Sequence, residues 1–150
     1  MRIEKRIYIA AVVLLVVVGW LLIAVPLVNN YSARQTRTSV EEILLPESTE
    51  YIDSVYAAGK LNGNGNGMQY FGAILLKSDL TIEELDHYYS LYRENDWEYL
   101  VQKQEGQKVA VIEHEDIYFK ADISAEENYY IVYSWGEGIS PFSVLDIRGC

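Results

Sequence analysis

The sequence predicts an α+β protein: an N-terminal transmembrane helix followed by a small, mostly antiparallel sheet with one long helix packed on one face. Three observations carry this expectation. Residues 7–28 (IYIAAVVLLVVVGWLLIAVPLV) form an apolar run of 22 positions without a charge, which as a helix extends about 33 Å and matches a bilayer core of roughly 30 Å. Residues 82–94 carry a capped amphipathic helix pattern. The segments on either side of that pattern are rich in β-branched and aromatic residues, with period-two alternation, which is the signature of strands. The expected order after the span is β-β-α-β-β-β.

The chain divides into a basic flank at 1–6, the span at 7–28, a juxtamembrane connector at 29–46 and an α+β domain at 47–150. The apolar run is longer than a signal-peptide core, and Leu27-Val28-Asn29-Asn30-Tyr31 is a poor cleavage site, so an uncleaved anchor is expected. Arg2, Lys5, Arg6 and the terminal amine precede the span, against Arg34 and Arg37 after it. That bias favours a cytoplasmic N-terminus and a domain outside, at the cell membrane. The span contains no ionisable group and no GxxxG face, so the expectation is a plain anchor without a pore or dimer motif.

In the connector, Ser39-Val40-Glu41-Glu42 fits a capping box, predicting a short helix that ends near Pro46. Residues 50–61 fit helical spacing at Tyr51, Ile52, Val55 and Tyr56, while their β-branched and aromatic content and the glycines that follow favour a strand; a strand is expected. Asn62-Gly-Asn-Gly-Asn-Gly67 then supplies residues that tolerate positive φ, as a hairpin loop leading into a second strand at 68–76 requires. Thr81 and Glu84 form a capping box, and Leu80 and Leu85 a hydrophobic staple, at the start of the helix at 82–94. Ile82, Leu85, Tyr89 and Tyr92, widened by Tyr88, are its buried stripe, and Asn95-Asp96 its stop. Strands are expected from Trp97 to Gln102, at Val109–Ile112, at Ile117–Ile123 and at Tyr129–Trp135, with an edge strand at Phe142–Ile147.

Charge and composition bound the function. Five of the twelve basic residues but only one acid precede Thr38, which leaves the chain from Thr38 onward, the domain with the end of its connector, with seven basic and 21 acidic residues, a net of −14. Such a domain repels nucleic acid and anionic headgroups. The chain has 13 Tyr against 3 Phe. Tyrosines suit a sheet face left uncovered by a single helix, and such a face could bind a partner, unless the N-terminal segment or the C-terminal tail covers it.

Motifs for catalysis and cofactors are not found. The glycine loop lacks the Gly-Lys-Ser/Thr ending of a P-loop, the spacing of GxGxxG and the acids of a calcium turn, so a structural turn is expected. His87, with Glu83 one turn before it, and His114, within Glu113-His-Glu-Asp116, could be imagined as a joint metal site, although their spacing does not require one. Ser140 and Ser143 have no identifiable base partner. Cys150 is the sole cysteine, which excludes an internal disulfide and leaves only a bridge between two chains.

The order Leu45-Pro46, strand, glycine loop, strand ending in Lys77-Ser78, the helix Leu80-Thr-Ile-Glu-Glu-Leu85 with Tyr88-Tyr89, and then Trp97 resembles a recurring type of bacterial single-span surface protein with a small extracytoplasmic α+β domain. The resemblance covers residues 45–135. It implies an envelope location, and no catalytic, cofactor-binding or metal-binding residues. The functional expectation is a membrane-anchored extracytoplasmic interaction or regulatory module, binding a protein or envelope ligand or serving as a subunit of an envelope assembly. The alternative is a small membrane-anchored hydrolase or metal-dependent enzyme.

Overall fold

The computed structural model describes residues 2–64, 67–93, 98–124, 126–136 and 140–149. Its first element is a single helix, α1 (Arg2–Glu41), 40 residues long and so about 60 Å from end to end. The apolar run forms the first part of it, almost wholly exposed and long and apolar enough to cross a membrane. The connector expected at 29–46 is instead mostly more of the same helix. Polar residues that usually oppose a helix interior are accommodated by bonding back to carbonyls three or four residues earlier: Ser32 Oγ to Val28 O at 3.2 Å, Thr36 Oγ1 to Ser32 O at 3.2 Å and Thr38 Oγ1 to Arg34 O at 3.0 Å. The capping box expected at Ser39–Glu42 does not start a helix. Ser39 lies inside α1, where its hydroxyl donates to Thr36 O at 2.7 Å.

After α1 come β1 (Thr49–Gly59), β2 (Gln69–Ser78), α2 (Ile82–Ser90), β3 (Leu100–Lys103) and β4 (Tyr129–Gly136), followed by two single 3₁₀ turns at Ser143–Leu145 and Ile147–Gly149. The α+β class therefore holds. The strands form one sheet in the order β1-β2-β4-β3, every neighbouring pair antiparallel. Three expected strands are absent. The segments around Val109–Ile112 and Ile117–Ile123 pair their backbones only as an isolated bridge between Lys108 and Tyr118, and 142–147 is 3₁₀ rather than an edge strand. The β1–β2 hairpin is present, with Gly63 at φ +75° and the Gln69 side chain accepting from the amides of Leu61 and Asn62 at 2.8 and 2.7 Å.

The start of α2 is as the sequence specifies. Thr81 N donates to Glu84 Oε2 at 2.8 Å and Glu84 N to Thr81 Oγ1 at 3.3 Å, closing the capping box. Leu85 and Tyr89 are its buried residues, with Leu80, Ile82, Tyr88 and Tyr92 packed around them. The helix closes at Ser90, earlier than expected, and Asn95, Asp96 and Trp97 lie outside the described residues.

Both faces of the sheet are covered. On one face, Val40 in the last turn of α1 and Ile43 just after it join Leu85 and Tyr89 of α2 over Ile74, Leu76, Val101, Tyr130 and Val132. On the other, Val109, Ile112 and Phe119 pack over Phe71, Ala73, Leu75, Ile131 and Tyr133. The tyrosine-rich face, which the sequence left either open or covered by a terminus, is therefore closed, by the irregular segment at 107–123 rather than by either terminus. Apolar residues on both alternations of β2 and β4 follow from burial on both sides.

The remaining contact fixes α1 to the sheet. Its buried positions, Val25, Asn29, Ser32, Ala33, Thr36 and Val40, recur at helical spacing along one stripe. Opposite them lies Gly72 of β2, where an added Cβ would overlap the backbone N and Cα of Arg37. Only a glycine lets the helix and strand backbones come this close. Beside this crossing the Arg37 guanidinium lies 5.3 Å from the centre of the Tyr56 ring, within cation–π range.

Candidate functional site

Where α1 leaves the apolar run, its buried stripe meets the C-terminal tail in a closed polar network. Asn29 is fully buried; its Nδ2 donates to Asp146 Oδ2 at 2.7 Å, and its Oδ1 accepts from the Tyr70 hydroxyl at 2.9 Å. Arg148 grips the same carboxylate with two bonds, Nε to Oδ1 at 3.0 Å and Nη2 to Oδ2 at 2.7 Å. Its Nη1 donates to Asn30 Oδ1 at 2.8 Å, and Nη2 also reaches Pro26 O at 3.3 Å. The tail is held on its other side by the hairpin loop, through Lys60 N to Arg148 O at 2.8 Å and Gly67 N to Gly149 O at 2.7 Å.

The electrostatics follow from this geometry. The Arg148 hydrogen bond, aided by Asn29 and the Arg148 amide, holds the Asp146 carboxyl well below the usual carboxylate range, at about 2, against the opposing effect of burial. Burial pushes the Tyr70 phenol up. A carboxylate and a guanidinium that satisfy each other and their neighbours form a joint, not a reactive centre. Nothing in the network resembles an activated nucleophile or a base poised near neutrality. Beside it, α1 and the tail leave an apolar groove of about 360 Å³ bordered by Val18, Leu21, Leu22, Val25, Leu145 and Ile147.

The residues singled out in the sequence lie elsewhere. His87 belongs to α2 on one face of the sheet, whereas His114 lies by the cover on the other face, its Nε2 2.8 Å from Gly63 O. The sheet thus separates the two imidazoles, and among the described residues no group of three or more His, Cys, Asp or Glu side chains converges. Ser140 is buried and organises the tail, its Oγ accepting from Phe142 N at 3.2 Å, while Ser143 begins a 3₁₀ turn. In the glycine loop, the amide of Gly63 meets the carboxylate of Glu113 at 3.2 Å, an arrangement that serves the turn. Cys150 lies outside the described residues. A second concavity, of about 320 Å³, includes Trp135, Tyr133, Gln102 and Asn62. Gln102 is engaged by the Tyr133 hydroxyl at 3.1 Å and Asn62 by Val111 O at 2.7 Å, so these polar groups already satisfy one another.

The polar network escaped sequence reading because its members are remote: Asn29 and Asp146 are 117 positions apart. Its one local signal was the Asn29-Asn30 pair directly after an apolar run, followed far downstream by Asp146-Ile-Arg148. No family model, curated protein or solved structure matches the chain.

Proposed function

We propose that the chain is a single-span membrane protein that mounts an acidic α+β domain rigidly at the outer membrane surface, where the domain recognises a protein of the cell envelope. The supporting observation is the continuity of α1, whose first part is an exposed apolar helix and whose last turns are core of the domain. A domain built around the end of its own anchor has a fixed height and orientation above the bilayer, and such pre-organisation lowers the entropic cost of meeting a membrane-bound partner. The net charge of −14 favours a basic partner surface.

The test places a photo-crosslinking residue at Tyr51 on β1, which is 43% exposed, in cells. A discrete adduct with one envelope protein is expected, lost when a six-residue Gly-Ser insert between Val28 and Asn29 frees the domain from its anchor. An adduct that survives the insert would overturn rigid mounting. Absence of any adduct from Tyr51, Ser90 and Tyr118 alike would overturn partner recognition. Labelling of Cys150 by an impermeant reagent in intact cells tests orientation, since labelling only after lysis contradicts the outer placement.

A further inference from the structure

We infer that the C-terminal 3₁₀ segment is a second membrane contact, inserting Val144, Leu145 and Ile147 into the leaflet that α1 crosses and admitting lipid acyl chains to the groove between tail and helix. The inference rests on the membrane-spanning reading of α1. These three apolar side chains are 88%, 56% and 76% exposed, clustered at one end of a domain that is otherwise strongly acidic. Isolated exposed apolar residues need no explanation, but a contiguous patch does.

What covers this patch is indicated by its continuity with the apolar band of α1. The groove is bordered on the helix side by Val18, Leu21, Leu22 and Val25, residues within the apolar run, and Val18 lies about 15 Å along the helix axis from Val28. With a core of roughly 30 Å, that stretch spans about one leaflet. The tail therefore projects alongside the membrane segment and not away from it. A bilayer placed around residues 7–28 already reaches Leu145 and Ile147.

Charge does not oppose this placement. Asp146 and Arg148, the only ionisable residues between Ser140 and Gly149, neutralise each other through two direct bonds. The remaining Arg148 donors turn toward Asn30 and Pro26 O, so no charge of this segment is left to be desolvated alone. An apolar tip with an internally paired charge behind it has the build of an interfacial anchor.

The test uses full-length protein with Cys150→Ser, reconstituted in phosphatidylcholine vesicles and spin-labelled at a single introduced cysteine. Val144→Cys and Ile147→Cys report the tip, Val16→Cys reports the span, and Ser90→Cys reports a water-exposed site on α2. The tip labels are expected to collide with oxygen several-fold more readily than with a polar nickel chelate, as the Val16 label does and the Ser90 label does not. Tip labels that behave like Ser90 while Val16 is lipid-exposed would overturn the inference and leave the span standing. Tip labels shielded from both reagents would mean that protein covers the patch and overturn it equally. A water-exposed Val16 label would overturn the membrane reading itself.

Discussion

Asp146 keeps its charge at a position only 3% exposed because four hydrogen bonds reach its two oxygens, three from Arg148 and one from Asn29. Its carboxyl is lowered from 3.8 to about 2 in the folded protein. A depressed acid stabilises the folded state above its unfolded pKa, and that contribution disappears as pH falls through the folded value. The window is therefore about pH 4 down to pH 2, and the contribution at neutral pH is about 2 kcal/mol. Asp146→Asn is expected to lower stability at pH 7 by about this amount. The deficit relative to the unsubstituted chain should shrink as pH falls from 4 to 2, as measured by thermal unfolding in detergent. A deficit that stays constant down to pH 2 would show that shape and not charge is what the variant lost. None of this was legible in the sequence, where Asp146 fell within an expected edge strand at 142–147. The groups that make Asp146 and Arg148 a buried pair, Asn29, Asn30 and Tyr70, come from other elements.

Among the elements, the join between α1 and β2 is the most demanding, because two backbones meet at Gly72. Gly72→Ala forces a methyl against the Arg37 backbone, which cannot rotate away as a side chain would. A loss of about 3 kcal/mol is expected, at the upper end for overpacking. Gly106→Ala, where nothing lies within 4 Å of the added Cβ, should be near neutral, so chemical unfolding of the two variants side by side isolates the close approach. Elements declared by local chemistry were legible: the Thr81–Glu84 box starts α2, and the Asn-Gly loop joins β1 to β2. The outer part of α1 was not, because its buried stripe consists of Asn29, Ser32, Ala33 and Thr36 before it reaches Val40. Hydrophobic periodicity does not register small and polar residues. The segment at 107–123 misled in the opposite sense. Val109, Ile112, Ile117 and Phe119 have strand composition because they pack on the sheet as a lid, while their segment joins no strand ladder and pairs with itself in a single bridge, tied to β1 by the amides of Lys120 and Ala121 on the Asp53 carboxylate.

Across the whole molecule, one helix carries both the apolar run and part of the core, so the domain and that run should move as a unit. A separate connector at 29–46 with only a short helix from Ser39, as the sequence suggested, would leave the domain free to move relative to the apolar run. The continuous helix forbids this, because bending it between Asn29 and Glu41 would pull Asn29, Thr36 and Val40 out of sites where they are fully buried. Pro26 is the one built-in irregularity. It lacks the amide that would bond to Leu22, and it supports at most a fixed kink, beside which Arg148 Nη2 reaches the Pro26 carbonyl. Spin labels at Lys5→Cys and Gln35→Cys, in a Cys150→Ser background, span 30 residues of helix and should lie about 45 Å apart, slightly less if Pro26 bends the axis. Pulsed dipolar measurement in lipid nanodiscs is expected to give one narrow distance distribution. Asp146→Asn should broaden it by loosening the tail from the helix near the kink. A broad distribution in the unsubstituted chain would mean that α1 breaks at the membrane surface, and with it the rigid mounting on which the proposed presentation of the domain depends.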